Sequence, residues 1–141
     1  MNEGYRTFDH TGDLGLEVWS GTPERLLALA AVAVMAQVAE VPPDATPAPL
    51  SVQLELEADD AEDLVVHWLN TALLEAELRR AIWTRAEIVH WSARHLVGHL
   101  AGPPFDPRLH TSLREVKAVS HHGLELELRP PACRCRMVLD L

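Results

Sequence analysis

Leu50, Val52, Leu54 and Leu56 alternate with Ser51, Gln53, Glu55 and Glu57, the period-two pattern of a strand with one buried face. A different period governs Leu26, Leu27, Ala30, Val34 and Val38, which recur at helical spacing. Thr22 supplies an N-cap oxygen, Pro23 suits the first helical position, and Glu24 suits the positive end of the helix dipole. This helix is apolar almost all round, which predicts burial on more than one side. Asp60 caps a second helix, with Glu62 and Asp63 in its first turn. Leu64, Trp68, Thr71 and Glu75 track one stripe of it, and Val65, Leu69, Ala72 and Ala76 the next. Its end is expected near Leu78 to Arg80.

Around these two helices the pattern is one of strands and turns. Tyr5–Phe8 and Leu14–Trp19 read as strand pieces flanking a polar turn, Asp9-His10-Thr11-Gly12-Asp13. Residues 41–49 carry four prolines and form a surface connector that is neither helix nor inner strand. Ile82–Ala101 fits two strands or one bent hairpin. Ile88, His90 and Ser92 fall on one face there, with Val89, Trp91 and Ala93 on the other, and Gly98 marks a bulge or a close backbone approach. After a Gly102–Pro107 loop come strands at Glu115–Ser120 and Leu124–Leu128, a turn at Arg129-Pro130-Pro131, and a last strand from Arg134 to Leu141. The order predicts an α+β fold: one domain over residues 1–141, with a largely antiparallel sheet carrying two helices.

Charge narrows the choice of partner. Net charge is −9, with only 12 Lys and Arg among 141 residues. Proteins that hold phosphate backbones concentrate basic residues, so stable direct nucleic-acid binding is not expected. Solubility, cation binding or a basic partner is favoured instead. The longest apolar run, Leu26 to Val38, is interrupted by Gln37 and too short to span a bilayer. The start lacks a basic, apolar leader pattern, and the two cysteines, Cys133 and Cys135, are badly spaced for a bridge. A reducing, cytoplasmic setting is the expectation.

Three places carry candidate chemistry. Asp9 and Asp13 are four residues apart on the first turn and can converge on a hard cation such as Ca²⁺ or Mg²⁺. With His10 added, Mn²⁺ or Zn²⁺ enters the range; a solvated turn is the plainer alternative. Asp140 ends an apolar strand, sharing a face with Val138 and opposite Met137, Leu139 and Leu141. It is either solvated at the sheet end or held by a cation. Lys117 faces away from Val116 and Ala118, either toward a phosphate or carboxylate or simply into solvent. The eight histidines show no zinc-motif spacing, and Cys133-x-Cys135 lacks the usual two-residue gap. No GxGxxG, Walker or GxSxG motif is present. Trp68, Trp83 and Trp91 are expected to pack in the core or against the sheet rather than to stack on bases.

Several blocks, taken in order, resemble the archease family. Phe8-Asp9-His10-Thr11-Gly12-Asp13 resembles its opening, which usually reads HTAD. Asp63-Leu64 leading to Leu69-Asn70 is similar to its second-helix signature, and Phe105-Asp106-Pro107 with His110 to its Phe-Asp-Pro loop. Val116-Lys117-Ala118-Val119-Ser120-His121-His122 resembles its lysine strand, and Val138-Leu139-Asp140-Leu141 its terminal strand. The resemblance spans nearly the whole chain.

It implies a divalent ion held by Asp13, Asp140 and the main-chain oxygen of Leu141. Asp9, His10 and Lys117 would be the nearby partner or activation residues, and no residue would be catalytic. Because Leu141 is the last residue given, a free carboxylate is expected nearby. The implied role is that of an accessory factor to the GTP-dependent RNA-splicing ligase, promoting its guanylylation and multiple turnover. A stand-alone metal-dependent phosphoesterase and a chaperone-like binding module are the alternatives. The chain departs from the pattern at Gly12, usually Ala, at Pro103-Pro104, where the family has a Glu, and at His121, often Tyr.

Overall fold

The computed structural model describes residues 2–42 and 49–141. Most of the proline connector, residues 43–48, lies outside the described residues. The elements run β1 (Gly4–His10), β2 (Asp13–Ser20), α1 (Pro23–Val38), β3 (Ala39–Glu40), β4 (Leu50–Glu57), α2 (Ala61–Arg79), β5 (Arg85–Ser92), β6 (His95–Gly102), β7 (Thr111–Ser112), β8 (Ala118–Val119), β9 (Glu125–Glu127) and β10 (Cys133–Asp140). One sheet has the order β1-β2-β10-β8, with β9 also pairing β10; a second has the order β4-β6-β5; β3 and β7 form a two-stranded piece. Every pairing is antiparallel, as the α+β expectation requires.

α1 packs against β2 and β10 of the first sheet, β5 of the second, and α2. That position explains its composition, because a helix touched on all sides has no face left for charge. Leu26, Leu27, Ala30, Ala31 and Ala33 are fully buried. Thr22 Oγ1 accepts from the Arg25 N–H at 3.1 Å, as the capping pattern predicts. At the other end of α1 the chain supplies a cation from afar. Arg114 donates to the Gln37 carbonyl at 2.8 Å, where the last turn has no basic residue of its own.

α2 ends as expected, with Arg80 in the left-handed region at φ 53° as its C-cap. Its Trp68 indole donates to Leu27 O of α1 at 3.0 Å, and the Trp83 indole donates to Ala72 O at 3.0 Å. Both rings are buried with their one polar atom satisfied. Trp91 is half-buried and packs against the same core. Gly98 admits the Trp68 ring; a Cβ there would stand 2.8 Å from Trp68 Cη2. Gly98 therefore marks a close approach.

Three details differ from the sequence pattern. The first turn is tighter: His10 pairs with Asp13, leaving only Thr11-Gly12 as the loop, with Gly12 at φ 76°. In β5 the register shifts between Ile88 and His90. The extra residue, Val89, is exposed, so Ile88 and His90 do not share a face as strict alternation requires. The strands expected at 115–120 and 124–128 shorten to the two residues of β8 and the three of β9. The small β3–β7 pair has no signal in the sequence, being too short to show a period.

Candidate functional site

The hairpin of β1 and β2 and the end of β10 meet at one edge of the first sheet. β2 and β10 pair with Val138 opposite Gly15 and Leu139 opposite Leu14. The pairing ends there; continued by one step, the register would set Asp140 across from Asp13. His10 lies opposite Asp13 on the other side, and Ala118 opposite Asp140. His10, Asp13, Asp140 and Ala118 thus form one row across four strands. Directly opposed residues share a sheet face, with Cβ atoms about 4.5–5.5 Å apart.

Burial fixes which face this is. Leu16, Val18, Cys135, Met137 and Leu139 are fully buried and point to α1, so the row of acids projects from the opposite, outer face. Cys133 and Cys135 belong to the core face as free thiols, and burial pushes the Cys135 thiol up to about 12. Asp9 pairs with Leu14, one position off the acid row, so alternation sends it to the other face. The structure therefore pairs His10 with Asp13, puts Asp140 on the same face of the sheet, and leaves Asp9 on the other.

Two carboxylates held opposite one another repel unless something lies between or beside them. His10 Nδ1 is 3.8 Å from Asp13 Oδ2, and both side chains are about a third exposed (39% and 32%). Among the described residues neither Asp140 nor Lys117 forms an ion pair. The Lys117 N–H donates to Asp140 O at 2.8 Å, placing the lysine backbone beside that acid. Leu141 follows the strand and is 42% exposed.

Among the described residues, no three His, Cys, Asp or Glu side chains stand together so as to hold an ion. An ion at the Asp13–Asp140 edge would need main-chain or water oxygens to complete its shell. That fits hard cations, which accept carbonyl and water ligands and often retain water. The donor set, two carboxylates with a nearby main-chain oxygen, has the right chemistry for such an ion. It lacks the soft ligands of a structural zinc site.

Next to the row, the outer face is occupied by side chains that support it. The Phe8 ring covers Gly15, and the Arg136 guanidinium sits 4.0 Å above the Phe8 centroid. Glu17, nearly buried, takes Arg6 at 3.0 Å, with Arg134 and Arg136 at 3.7 and 3.9 Å. Lys117 and Ala118 also line one end of a groove of about 940 Å³, together with Asn70, Leu73, Leu74 and Phe105.

The Phe-Asp-Pro loop does not join the acid row. Its Asp106 N–H donates to His110 Nδ1 at 3.0 Å, and the His110 N–H donates to Asp106 O at 2.8 Å. The Phe105 N–H donates to Arg80 O at 2.7 Å, tying the loop to the end of α2. The loop therefore closes on itself and on the helix. The histidines of the second sheet find separate partners, His95 with Glu55 and His99 with Gln53, each at 2.7 Å.

A small antiparallel α+β domain with an acidic row at one sheet edge defines the class of this protein. The Archease protein family (MTH1598/TM1083) model matches residues 5–141, and the chain belongs to that family. It is 29% identical over 143 residues to the protein archease of Methanopyrus kandleri, covering 97% of this chain and 99% of that one. It is 25% identical over 140 residues to the protein archease of Sulfolobus acidocaldarius, covering 97% and 98%. The solution structure of Methanobacterium thermoautotrophicum protein 1598 shares the fold with a TM-score of 0.74 at 22% identity, covering 98% and 99% of the two chains. Membership supports an accessory role. No helix among the described residues is long and apolar enough to cross a membrane.

Proposed function

We propose that this protein is a metal-binding accessory factor that activates the GTP-dependent RNA-splicing ligase. It acts in the cytoplasm and makes no product of its own. The observation that carries this reading is the β2–β10 register, which pairs Leu14 with Leu139 and, continued by one step, would set Asp13 and Asp140 across from each other. Two acids so placed, with His10 3.8 Å from Asp13, suit a Ca²⁺, Mg²⁺ or Mn²⁺ ion better than they suit bare opposition. Asp13, Asp140 and the main-chain oxygen of Leu141 would hold it. The ion would supply positive charge where the surrounding acids repel phosphate.

The chain's own residues do the rest. The hairpin turn at Thr11-Gly12 keeps the acid row at an exposed tip that can enter a partner's site. His10 stands beside Asp13, and Lys117, bonded through its N–H to Asp140 O, brings an exposed lysine to the same end of the sheet, open to a partner carboxylate or a phosphate. The net charge of −9 steers the tip toward a basic protein surface and away from free RNA.

A ligation time course with RNA ends in excess over ligase tests this reading. With the protein present, product should exceed one turnover and ligase guanylylation should rise. Asp13→Asn and Asp140→Asn should remove the stimulation while retaining the wild-type thermal midpoint within a few degrees. Full stimulation by both variants would sink the proposal.

A further inference from the structure

Asn70, half-buried in the middle of α2, meets Val119 of β8 twice. The Val119 N–H donates to Asn70 Oδ1 at 2.7 Å, and Asn70 Nδ2 donates to Val119 O at 3.1 Å. These are the two hydrogen bonds that a neighbouring strand would otherwise provide. β8 has only two residues, and its other edge is taken by Leu139 and Asp140 of β10. Val119 is 2% exposed, so water cannot serve its backbone groups. A carboxamide offers a donor and an acceptor on one planar group, as a peptide does. The amide of Asn70 therefore stands in for a missing strand.

About two turns earlier on the same helix, Asp63 Oδ1 lies 3.1 Å from His121 Nε2. That second tie is exposed and correspondingly weaker. Between the β10 edge and the α2 edge, residues 117–121 have their register fixed from both sides. The outcome matters at the acid row: the Lys117 N–H reaches Asp140 O, and Ala118 lies opposite Asp140.

We infer that Asn70 is a positioning residue. From the helix it clamps β8 in the register that sets Lys117 beside Asp140, and so shapes the edge on which an ion and a partner would be met. The clamp stands on hydrogen bonds alone; only its link to an ion rests on the function proposed above.

The full-length protein provides the test, as wild type, Asn70→Ala, Asn70→Asp, and Ile88→Ala as a control. Ile88 lies in the second sheet, is 8% exposed, and stands away from the acid row. Amide hydrogen exchange and Tb³⁺ luminescence, with Tb³⁺ as the stand-in cation, are the two readouts. Asn70→Ala should speed exchange at Lys117 and Val119 by about tenfold beyond the change at core amides, and weaken Tb³⁺ binding severalfold. Asn70→Asp keeps the acceptor and should restore protection at Val119. Ile88→Ala should lower thermal stability while leaving Tb³⁺ affinity and the relative exchange of Lys117 as in wild type. Unchanged Lys117 exchange in Asn70→Ala, or an equal effect in the control, overturns the inference. Absence of Tb³⁺ binding to wild type would count against the ion reading alone, and Lys117 exchange would then decide the role of Asn70.

Discussion

The Phe8 ring occupies the space that a side chain at Gly15 would need: a Cβ there would collide with Phe8 Cε2, Cζ and Cδ2. The two residues face each other across the β1–β2 pair. The contact lets Phe8 fill the outer face just below the acid row, with Arg136 stacked above it. Gly15→Ala is expected to cost about 1–3 kcal/mol through overpacking. A lower thermal midpoint, restored in part by Phe8→Leu in the same chain, checks it. An unchanged midpoint would mean that Phe8 swings aside freely.

Trp68 joins the two helices through its indole and Leu27 O. Trp68→Phe removes the donor and part of the ring that Gly98 was shaped to admit. The expected loss is roughly 1–3 kcal/mol, hydrogen bond and cavity together. Urea unfolding measures it, with the midpoint falling and the slope unchanged.

Arg80 holds the left-handed conformation at φ 53° without being glycine. That conformation costs a side-chain-bearing residue about 1–2 kcal/mol, part of which is offset by the greater freedom of glycine in the unfolded chain. Arg80→Gly is thus expected to stabilise the protein by about 0.5 kcal/mol. A fall in thermal midpoint would show that the Arg80 side chain contributes more than its backbone costs.

The Glu3 carboxyl is held below its ordinary range, chiefly by Arg25, which donates at 2.7 Å, and then by Ser20 at 3.0 Å. A carboxylate whose native pKa lies below its unfolded value adds stability that is complete above the unfolded value. That stability disappears as pH falls through the native one. Glu3→Gln should therefore be less stable than wild type at neutral pH, and the gap should close in strong acid. Thermal midpoints of both proteins across that range provide the comparison. A gap that persists at the acid end would mean that Glu3 acts through packing.

Much of the fold was legible because its signals are local. Thr22 and Pro23 start α1, Asp60 starts α2, and the alternation of Leu50 to Leu56 marks β4, each through physics confined to a few residues. The faces of β10 were legible too, since Met137 and Leu139 point inward while Asp140 does not. The bulge at Val89 was not, because an inserted residue looks like any other until a partner strand shows two residues facing one.

The chain's own residues determined the helices, the main strands, the charge that disfavours bare RNA, and the carboxylates available for a cation. Only the tertiary structure decided which of them meet. Asp13 and Asp140 lie at opposite ends of the chain, and they come to the same edge only because β2 pairs with β10 in one register rather than the next. Asn70 belongs to the second-helix block of the resemblance, but what it does shows only where Val119 lies against it. Local patterns are read by neighbours in sequence, whereas a site of this kind is made by neighbours across a sheet. A one-residue slip there would send every side chain to the other face.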